Sequence, residues 1–179
     1  MRWLISGFGP FLDVLDNPSA RLARSVSDEP AILDVSFAAA EEQVEQARRD
    51  GVTHWLMLGV KSQAQNLCVE LYGRNLIGKS PDVRGEVRGP GPIHPAGPSI
   101  LASSLFARDE VLRPQRSWNL SSSAGSYLCN FLLYTCLERA PEIQAGFVHV
   151  PLESTLPLAT QQRRLKRLLR LLQSPEPIR

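Results

Sequence analysis

The apolar positions of the chain cluster in short runs that alternate with longer, partly polar segments. Three of these runs, "RWLIS", "HWLMLGV" and "AGFVHV", show no regular polar alternation, which is typical of strands that are covered on both faces. Residues 31–37 and 117–120 also resemble strands, and residues 67–76 are apolar at several positions, which predicts extended structure. The strands and extended segments predicted in this way are 2–6, 31–37, 54–60, 67–76, 117–120 and 145–150.

The segments between these runs carry helix signals. Asn17 can cap the free amides of a helix, and Pro18 suits the first helical position. Gly51 is placed to end the next helix. A long stretch rich in Gly and Pro, 77–98, predicts irregular structure, and a loop of that length is usually functional or disordered. The predicted helices are 18–26, 39–50, 124–139 and 157–172.

Strands that alternate with helices predict an α/β fold. We expect a single domain over residues 1–179, with three layers: a mostly parallel but mixed, twisted sheet and helices on both of its faces. Such sheets usually carry their chemistry at the carboxyl edge, in the loops that lead from strands to helices.

Composition narrows the class of protein. The chain has 43% hydrophobic and 21% charged residues, which is ordinary for a globular protein, and its net charge of +2 argues neither for nor against a nucleic-acid partner. Three cysteines without CxxC spacing favour neither a disulfide framework nor a zinc site. We recognise no signal peptide and no membrane-spanning run, so we expect a cytoplasmic protein. Basic residues in 163–170 alternate with leucines, which predicts an amphipathic surface helix, with a basic docking surface as the alternative.

The segment "SSSAGSYLCNFLLY" places Cys129 near the start of a predicted helix. The amides and dipole at that end of a helix favour the negative charge of a thiolate. The small residues before it would let a substrate carbonyl approach backbone amides. The alternative is that Cys129 is simply a small buried apolar residue, as we expect of Cys68 and Cys136.

Nucleophilic catalysis by a thiol also needs a proton carrier and a group that orients the carrier. Among the three histidines, His149 ends a predicted strand, and we expect the same sheet edge to collect the serines before Cys129. Glu70 stands between apolar neighbours in "CVELYG", and a buried carboxylate needs a partner such as an imidazole. A structural His149 and a Glu70 that faces water from an edge strand remain open alternatives, and His54 is interpreted as structural.

Four segments, in the same order along the chain, resemble the pyroglutamyl peptidase I family, also called the pyrrolidone carboxyl peptidases. "SGFGPFLDVLDNPS" resembles the opening motif of the family, GFxPF followed by NPS. "SSSAGSYLCNFLLY" is very similar to its nucleophile segment, and "AGFVHVP" is similar to its histidine segment. Residues 59–75 fit the spacing of the segment that carries its glutamate, with Glu70 in register.

The resemblance implies a cysteine peptidase whose triad is Cys129, His149 and Glu70. Its substrate partner would be a peptide with an N-terminal pyroglutamate, which is released through a thioester intermediate. The resemblance also implies an α/β fold, a cytosolic location, frequent tetramers and no metal or other cofactor. We expect neither a nucleic acid nor a membrane as a partner.

A pyroglutamyl ring is neutral and compact, so its pocket needs apolar walls and a few amide partners rather than a carboxylate. By resemblance, Phe8 and Phe11 match the aromatic walls of the family, and Tyr127 and Leu128 match the pocket residues before the nucleophile. Asn17 matches an active-site asparagine, although helix capping alone would account for it.

The chain also departs from the family pattern. It has "GVKSQ" where members usually carry the Gly-rich GQAGG, and Leu71 where they carry Arg. "IGKSPDV" is only distantly similar to the DDARIPDN of the family, with Lys79 where an Arg is expected. These changes leave open an altered specificity, or a divergent member that binds a lactam or an acylated peptide without turnover. A nucleotide-binding domain is disfavoured because GxGxxG and P-loop motifs are missing.

Overall fold

The computed structural model describes residues 1–11, 15–113 and 115–174; residues 12–14 of the opening motif therefore lie outside the described part. The strands are β1 (Trp3–Phe8), β2 (Ala31–Leu33), β3 (His54–Val60), β4 (Leu67–Glu70), β5 (Tyr72–Arg74), β6 (Ile100–Ala102), β7 (Trp118–Ser121) and β8 (Gln144–Val150). The helices are α1 (Pro18–Val26), α2 (Phe37–Arg49), α3 (Asp109–Leu112), α4 (Leu128–Arg139) and α5 (Leu158–Gln173), with a 3-10 turn at Ser104–Phe106. Within these described ranges, every helix is too short or too polar to cross a membrane.

The main sheet has six strands in the order β2-β1-β3-β8-β4-β7. The first four run parallel to one another, β4 pairs antiparallel with β8, and β7 runs parallel to β4. Strands β5 and β6 form a separate antiparallel pair. The predicted α/β fold with a mostly parallel, mixed sheet is confirmed.

Helices cover both faces of the sheet, and alternate residues of each strand face alternate layers. On β3, Trp55 and Met57 belong to the core that is closed by α2 and α4. Their neighbours Leu56 and Leu58 belong to the opposite core, which is closed by α1 and α5. On α5, four leucines (Leu165, Leu168, Leu169 and Leu172) are buried while Lys166 and other basic residues are exposed, so the predicted amphipathic pattern is confirmed.

The two largest errors in the predicted boundaries each have a local cause. The strand predicted over 31–37 ends at Leu33, because Ser36 accepts a hydrogen bond from the amide of Ala39 and Phe37 opens α2. The helix predicted from residue 124 begins only at Leu128, because Gly125 has a φ of +87° and the cap residue Tyr127 is extended. The helix start at Asn17 and Pro18 is confirmed.

Candidate active site

The thiol of Cys129 lies at the second residue of α4, against the end of β3. A Cβ atom built on Gly59 would lie 2.9 Å from the Cys129 sulfur and 2.7 Å from the Phe147 ring. In the sheet, Gly59 pairs with His149. The nucleophile segment can therefore approach the histidine strand this closely because residue 59 has no side chain.

His149 and Glu70 are both buried and directly bonded. The Nδ1 atom of His149 lies 2.8 Å from the Oε1 atom of Glu70, and the carboxylate is 0% exposed. In the antiparallel pairing of β4 and β8, Cys68 stands opposite His149, so Glu70, two residues along, points to the same face. The alternative that Glu70 faces water is wrong.

The thiol of Cys129 and His149 meet at the carboxyl ends of the parallel strands β3 and β8, as expected, whereas Glu70 reaches them from the antiparallel strand β4. Because β4 and β7 run opposite to β8, Ser121 pairs with Glu70, and Glu70 pairs with Phe147 in the middle of β8. The expectation that the serine segment simply follows a strand to the edge near His149 was wrong, because it assumed parallel strands.

The imidazole of His149 stands between the carboxylate and the thiol. Burial alone lowers the pKa of His149, but the charge of Cys129 and the hydrogen bonds with Cys129 and Glu70 raise that pKa to about 9. Since Nδ1 faces Glu70, the other ring nitrogen is the one available to the thiol. The arrangement favours a thiolate–imidazolium pair whose cation is held by a buried carboxylate.

The start of α4 also offers backbone donors. The cap residue Tyr127 makes no side-chain capping bond, so the amides of Leu128, Cys129 and Asn130 have no partner inside the helix. These amides form the positive end of the helix dipole, where an anion is stabilised. A developing oxyanion next to the sulfur would meet such donors.

Asn130 fixes the start of α4, and analysis of the sequence did not identify it. The side chain is buried, its amide donates to the carbonyls of Arg74 (2.8 Å) and Leu76 (2.9 Å), and its oxygen accepts from the Arg74 amide (2.9 Å). These bonds tie α4 to β5. A polar amide inside an otherwise apolar helix was the signal that could have revealed it.

Two of the predicted substrate-binding aromatics lie together beside the nucleophile. The rings of Phe11 and Tyr127 are 5.7 Å apart, and both side chains are half-buried. Phe37, which was not predicted, meets the Tyr127 ring edge-on at 6.3 Å. The Tyr127 hydroxyl donates to the Pro81 carbonyl, which ties the aromatic group to the long irregular segment.

The other three predicted binding residues, Phe8, Leu128 and Asn17, make contacts within the fold. Phe8 is 4% exposed and Leu128 is 1% exposed, so both side chains pack in the core. Asn17 accepts from the amide and hydroxyl of Ser19 and donates to the Gly9 carbonyl. These contacts join the start of α1 to Gly9. Direct contacts of these three residues with substrate stay predictions.

Cys136, Cys68 and His54 have surroundings that are typical of residues with a structural role. Cys136 is buried in the core, and burial raises its pKa. Burial also raises the pKa of Cys68, against a smaller opposing effect of Lys61. The ring of His54 stacks on Trp3 at 4.8 Å. The structural interpretation of these residues agrees with their surroundings.

Comparison with known proteins identifies the family. A family model described as pyroglutamyl peptidase matches residues 1–163. Pyrrolidone-carboxylate peptidase 1 of Caldanaerobacter subterraneus subsp. tengcongensis is 28% identical over 171 residues, covering 84% of this chain and 82% of the relative. The pyrrolidone-carboxylate peptidase of Gloeobacter violaceus is 25% identical over 207 residues, covering 99% of this chain and 100% of the relative. The crystal structure of pyrrolidone carboxyl peptidase from Thermus thermophilus is 32% identical, with a TM-score of 0.77 over 93% of this chain and 98% of that one. Since the family model covers most of the sequence, the chain belongs to the pyroglutamyl peptidase family.

Proposed function

We propose that this protein is a cysteine peptidase that removes N-terminal pyroglutamate from peptides, with Cys129 as nucleophile, His149 as proton carrier and Glu70 as the carboxylate that orients it. One observation carries the assignment. A fully buried carboxylate lies 2.8 Å from an imidazole whose pKa is raised by the nearby Cys129, at the N-terminus of α4. Membership of the family supports the same reaction class.

In the first half of the reaction, the Cys129 thiol transfers its proton to His149, and the sulfur attacks the pyroglutamyl carbonyl carbon. Glu70 accepts the hydrogen bond from Nδ1 and stabilises the imidazolium. The carbonyl oxygen gains negative charge, which the free amides at the start of α4 can stabilise. The imidazolium then protonates the leaving amine, the C–N bond breaks, and a thioester with Cys129 remains.

In the second half, neutral His149 takes a proton from water as the water attacks the thioester carbonyl. The C–S bond breaks, and the sulfur leaves as a thiolate next to the re-formed imidazolium. Free pyroglutamate departs. All the proton transfers use the same imidazole, so its orientation by Glu70 matters in both halves.

The surroundings of the thiol suit an uncharged ring. Phe11 and Tyr127 supply apolar surface next to the nucleophile segment, and Tyr127 is held by its bond to the Pro81 carbonyl. A free α-amino group, as in an alanyl substrate, would lose its hydration against such a surface without gaining a carboxylate partner. We therefore expect the site to prefer a substrate that begins with a lactam over one that begins with a charged amine.

Turnover of dye amides tests the proposal. Purified protein should release the dye from a pyroglutamyl amide faster than from prolyl or alanyl amides. The variant Cys129→Ala should lose this activity. The control Cys136→Ala, on the same helix, should keep the wild-type kcat at temperatures where this variant remains folded. Full activity in Cys129→Ala would reject the assignment of the nucleophile.

The departures at 60–63 and at Leu71 motivate a second candidate, a family member that binds a lactam or an acylated peptide without turnover. The same assay separates the two: a binder shows saturable binding of pyroglutamyl peptide by calorimetry but no release of dye. A cytoplasmic location and assembly into tetramers stay predictions, and light scattering after gel filtration measures the assembly.

A further inference from the structure

The environment of Glu70 contains a feature that the proposed reaction leaves unexplained. Its carboxylate is 0% exposed, and only the Oε1 atom is hydrogen-bonded, to His149. Among the described residues, the second oxygen, Oε2, has no hydrogen-bond partner. A buried carboxylate with half of its acceptor capacity unused is costly unless another charge compensates it.

Lys61 supplies a compensating charge. Its amide donates to the Val150 carbonyl at 2.9 Å, which holds the chain after β3 beside the end of β8. Its ammonium nitrogen lies 3.8 Å from the Oε1 atom of Glu70, and its side chain is 42% exposed. This separation exceeds a hydrogen bond, so the interaction is electrostatic. A lysine stem has the rotational freedom to bring the ammonium to the unused oxygen.

The charges around Glu70 change during the proposed reaction. The groups that face it are His149 on β8, Lys61 after β3, Cys68 on its own strand and, beyond the imidazole, Cys129 on α4. While His149 is an imidazolium, the carboxylate has a cationic partner. Once His149 has given its proton to the leaving amine, Lys61 is the remaining cation in this group.

We propose that Lys61 is a positioning residue that compensates the charge of Glu70 and holds it in place while His149 is neutral, so that the thioester can be hydrolysed. The inference rests on the proposed function. Lys61 lies in the "GVKSQ" segment, where this chain departs from the Gly-rich pattern of its family. Lys61 acts through Glu70 rather than on the substrate.

Charge-matched variants test the inference. Lys61→Met removes the cation, Lys61→Arg keeps it, and Lys166→Met removes one positive charge from the exposed face of α5 as a control. On the pyroglutamyl amide dye, we expect Lys61→Met to lower kcat by about tenfold with KM within about twofold. We expect Lys61→Arg to restore most of this loss and Lys166→Met to behave as the wild type. An unchanged kcat in Lys61→Met, or equal loss in Lys61→Arg, would overturn the inference.

A second readout needs no turnover. The rate at which iodoacetamide alkylates Cys129, followed by peptide mass spectrometry across pH, reports formation of the thiolate. Without the Lys61 charge, the negative charges of the carboxylate and the thiolate are less stabilised, so the acidic midpoint of alkylation should rise. A shifted midpoint in a protein that releases no dye would reject the proposed function and keep the role of Lys61. Dye release with an unshifted midpoint in Lys61→Met would reject the role of Lys61 and keep the function.

Discussion

The two faces of β4 and β8 are built from the same strands but differ sharply in chemistry. On the α5 side, Val69 and Val148 pack into a core that also holds leucines of α5. On the α4 side, Glu70 and His149 form a buried polar pair beside the half-buried thiol of Cys129. Because side chains alternate along a strand, one backbone serves a stabilising face and a reactive face at the same time.

The comparison separates two kinds of constraint. Residues on the α5 side contribute mainly through apolar burial, so their loss should lower stability more than turnover. Residues on the α4 side act through orientation and charge, so their loss should lower turnover more than stability. The following predictions test that separation, in order of their expected effect on turnover.

Glu70→Gln should have the largest effect of these changes. The amide keeps the size of the carboxylate but removes its charge and can donate to His149, which favours the wrong tautomer of the imidazole. By analogy with the loss of the carboxylate from other triads, we expect kcat to fall about 10³–10⁴-fold. Circular dichroism should show a folded protein, and a kcat within tenfold of the wild type would remove Glu70 from the mechanism.

Gly59→Ala should come next. The added Cβ would lie 2.9 Å from the Cys129 sulfur and 2.7 Å from the Phe147 ring, so either the thiol or the ring must move. Displacement of a reacting group by about 1 Å can lower the rate about 10²-fold. Steady-state kinetics and a crystal structure of the variant measure the loss and the displacement. Wild-type kinetics in this variant would show that the close approach of Gly59 to the thiol has no role.

The pH dependence should follow His149. Its pKa in the folded protein is about 9, because the charge and hydrogen bonds of Cys129 and Glu70 outweigh burial. Above that value the imidazolium loses its proton, so kcat/KM should fall about tenfold per pH unit. Because the folded pKa exceeds the ordinary value of about 6.5, the stability contributed by the protonated form is complete below about pH 6.5 and is lost as the pH rises through 9. Imidazole NMR resonances that titrate near 6.5 would contradict this assignment.

Leu58→Ala should have the smallest effect on turnover. Leu58 is adjacent to Gly59 but is buried on the opposite face, among the leucines of α1 and α5. Truncation there should lower the free energy of unfolding by about 2–5 kcal/mol. Denaturant unfolding measures this loss, and kcat at a temperature where the variant is folded should stay within about twofold. A large loss of kcat would show that the two faces are not independent.

Strands and helices were predicted correctly from the sequence where the segment itself contained a clear hydrophobic pattern or capping residue. The strand predicted over 54–60 has the bounds of β3, because seven largely apolar residues leave few alternatives. The prediction over 31–37 was wrong where Ser36 turned a run of strand-forming residues into a helix start. Short elements such as β6 and α3 were missed because they have only three or four residues and depend on contacts with distant segments.

The site was predictable to the extent that its residues stood out from their surroundings. Glu70 was conspicuous as a charge within an apolar strand, and Cys129 as a thiol at a helix start. Lys61 was not, because an isolated lysine after a strand is usually solvated, and only the approach of its ammonium to Glu70 reveals a role. The antiparallel pairing of β4 with β8 likewise depends on long-range contacts that no local sequence pattern specifies.

The most direct test of the central claim is to trap the acyl-enzyme. Protein mixed with a pyroglutamyl amide, quenched in acid during turnover and digested, should yield the peptide that contains Cys129 with a pyroglutamyl group attached through sulfur. The account predicts this adduct on Cys129, its release by hydroxylamine, and its loss in Cys129→Ala. Turnover without an adduct on Cys129, or an adduct on another residue, would contradict it.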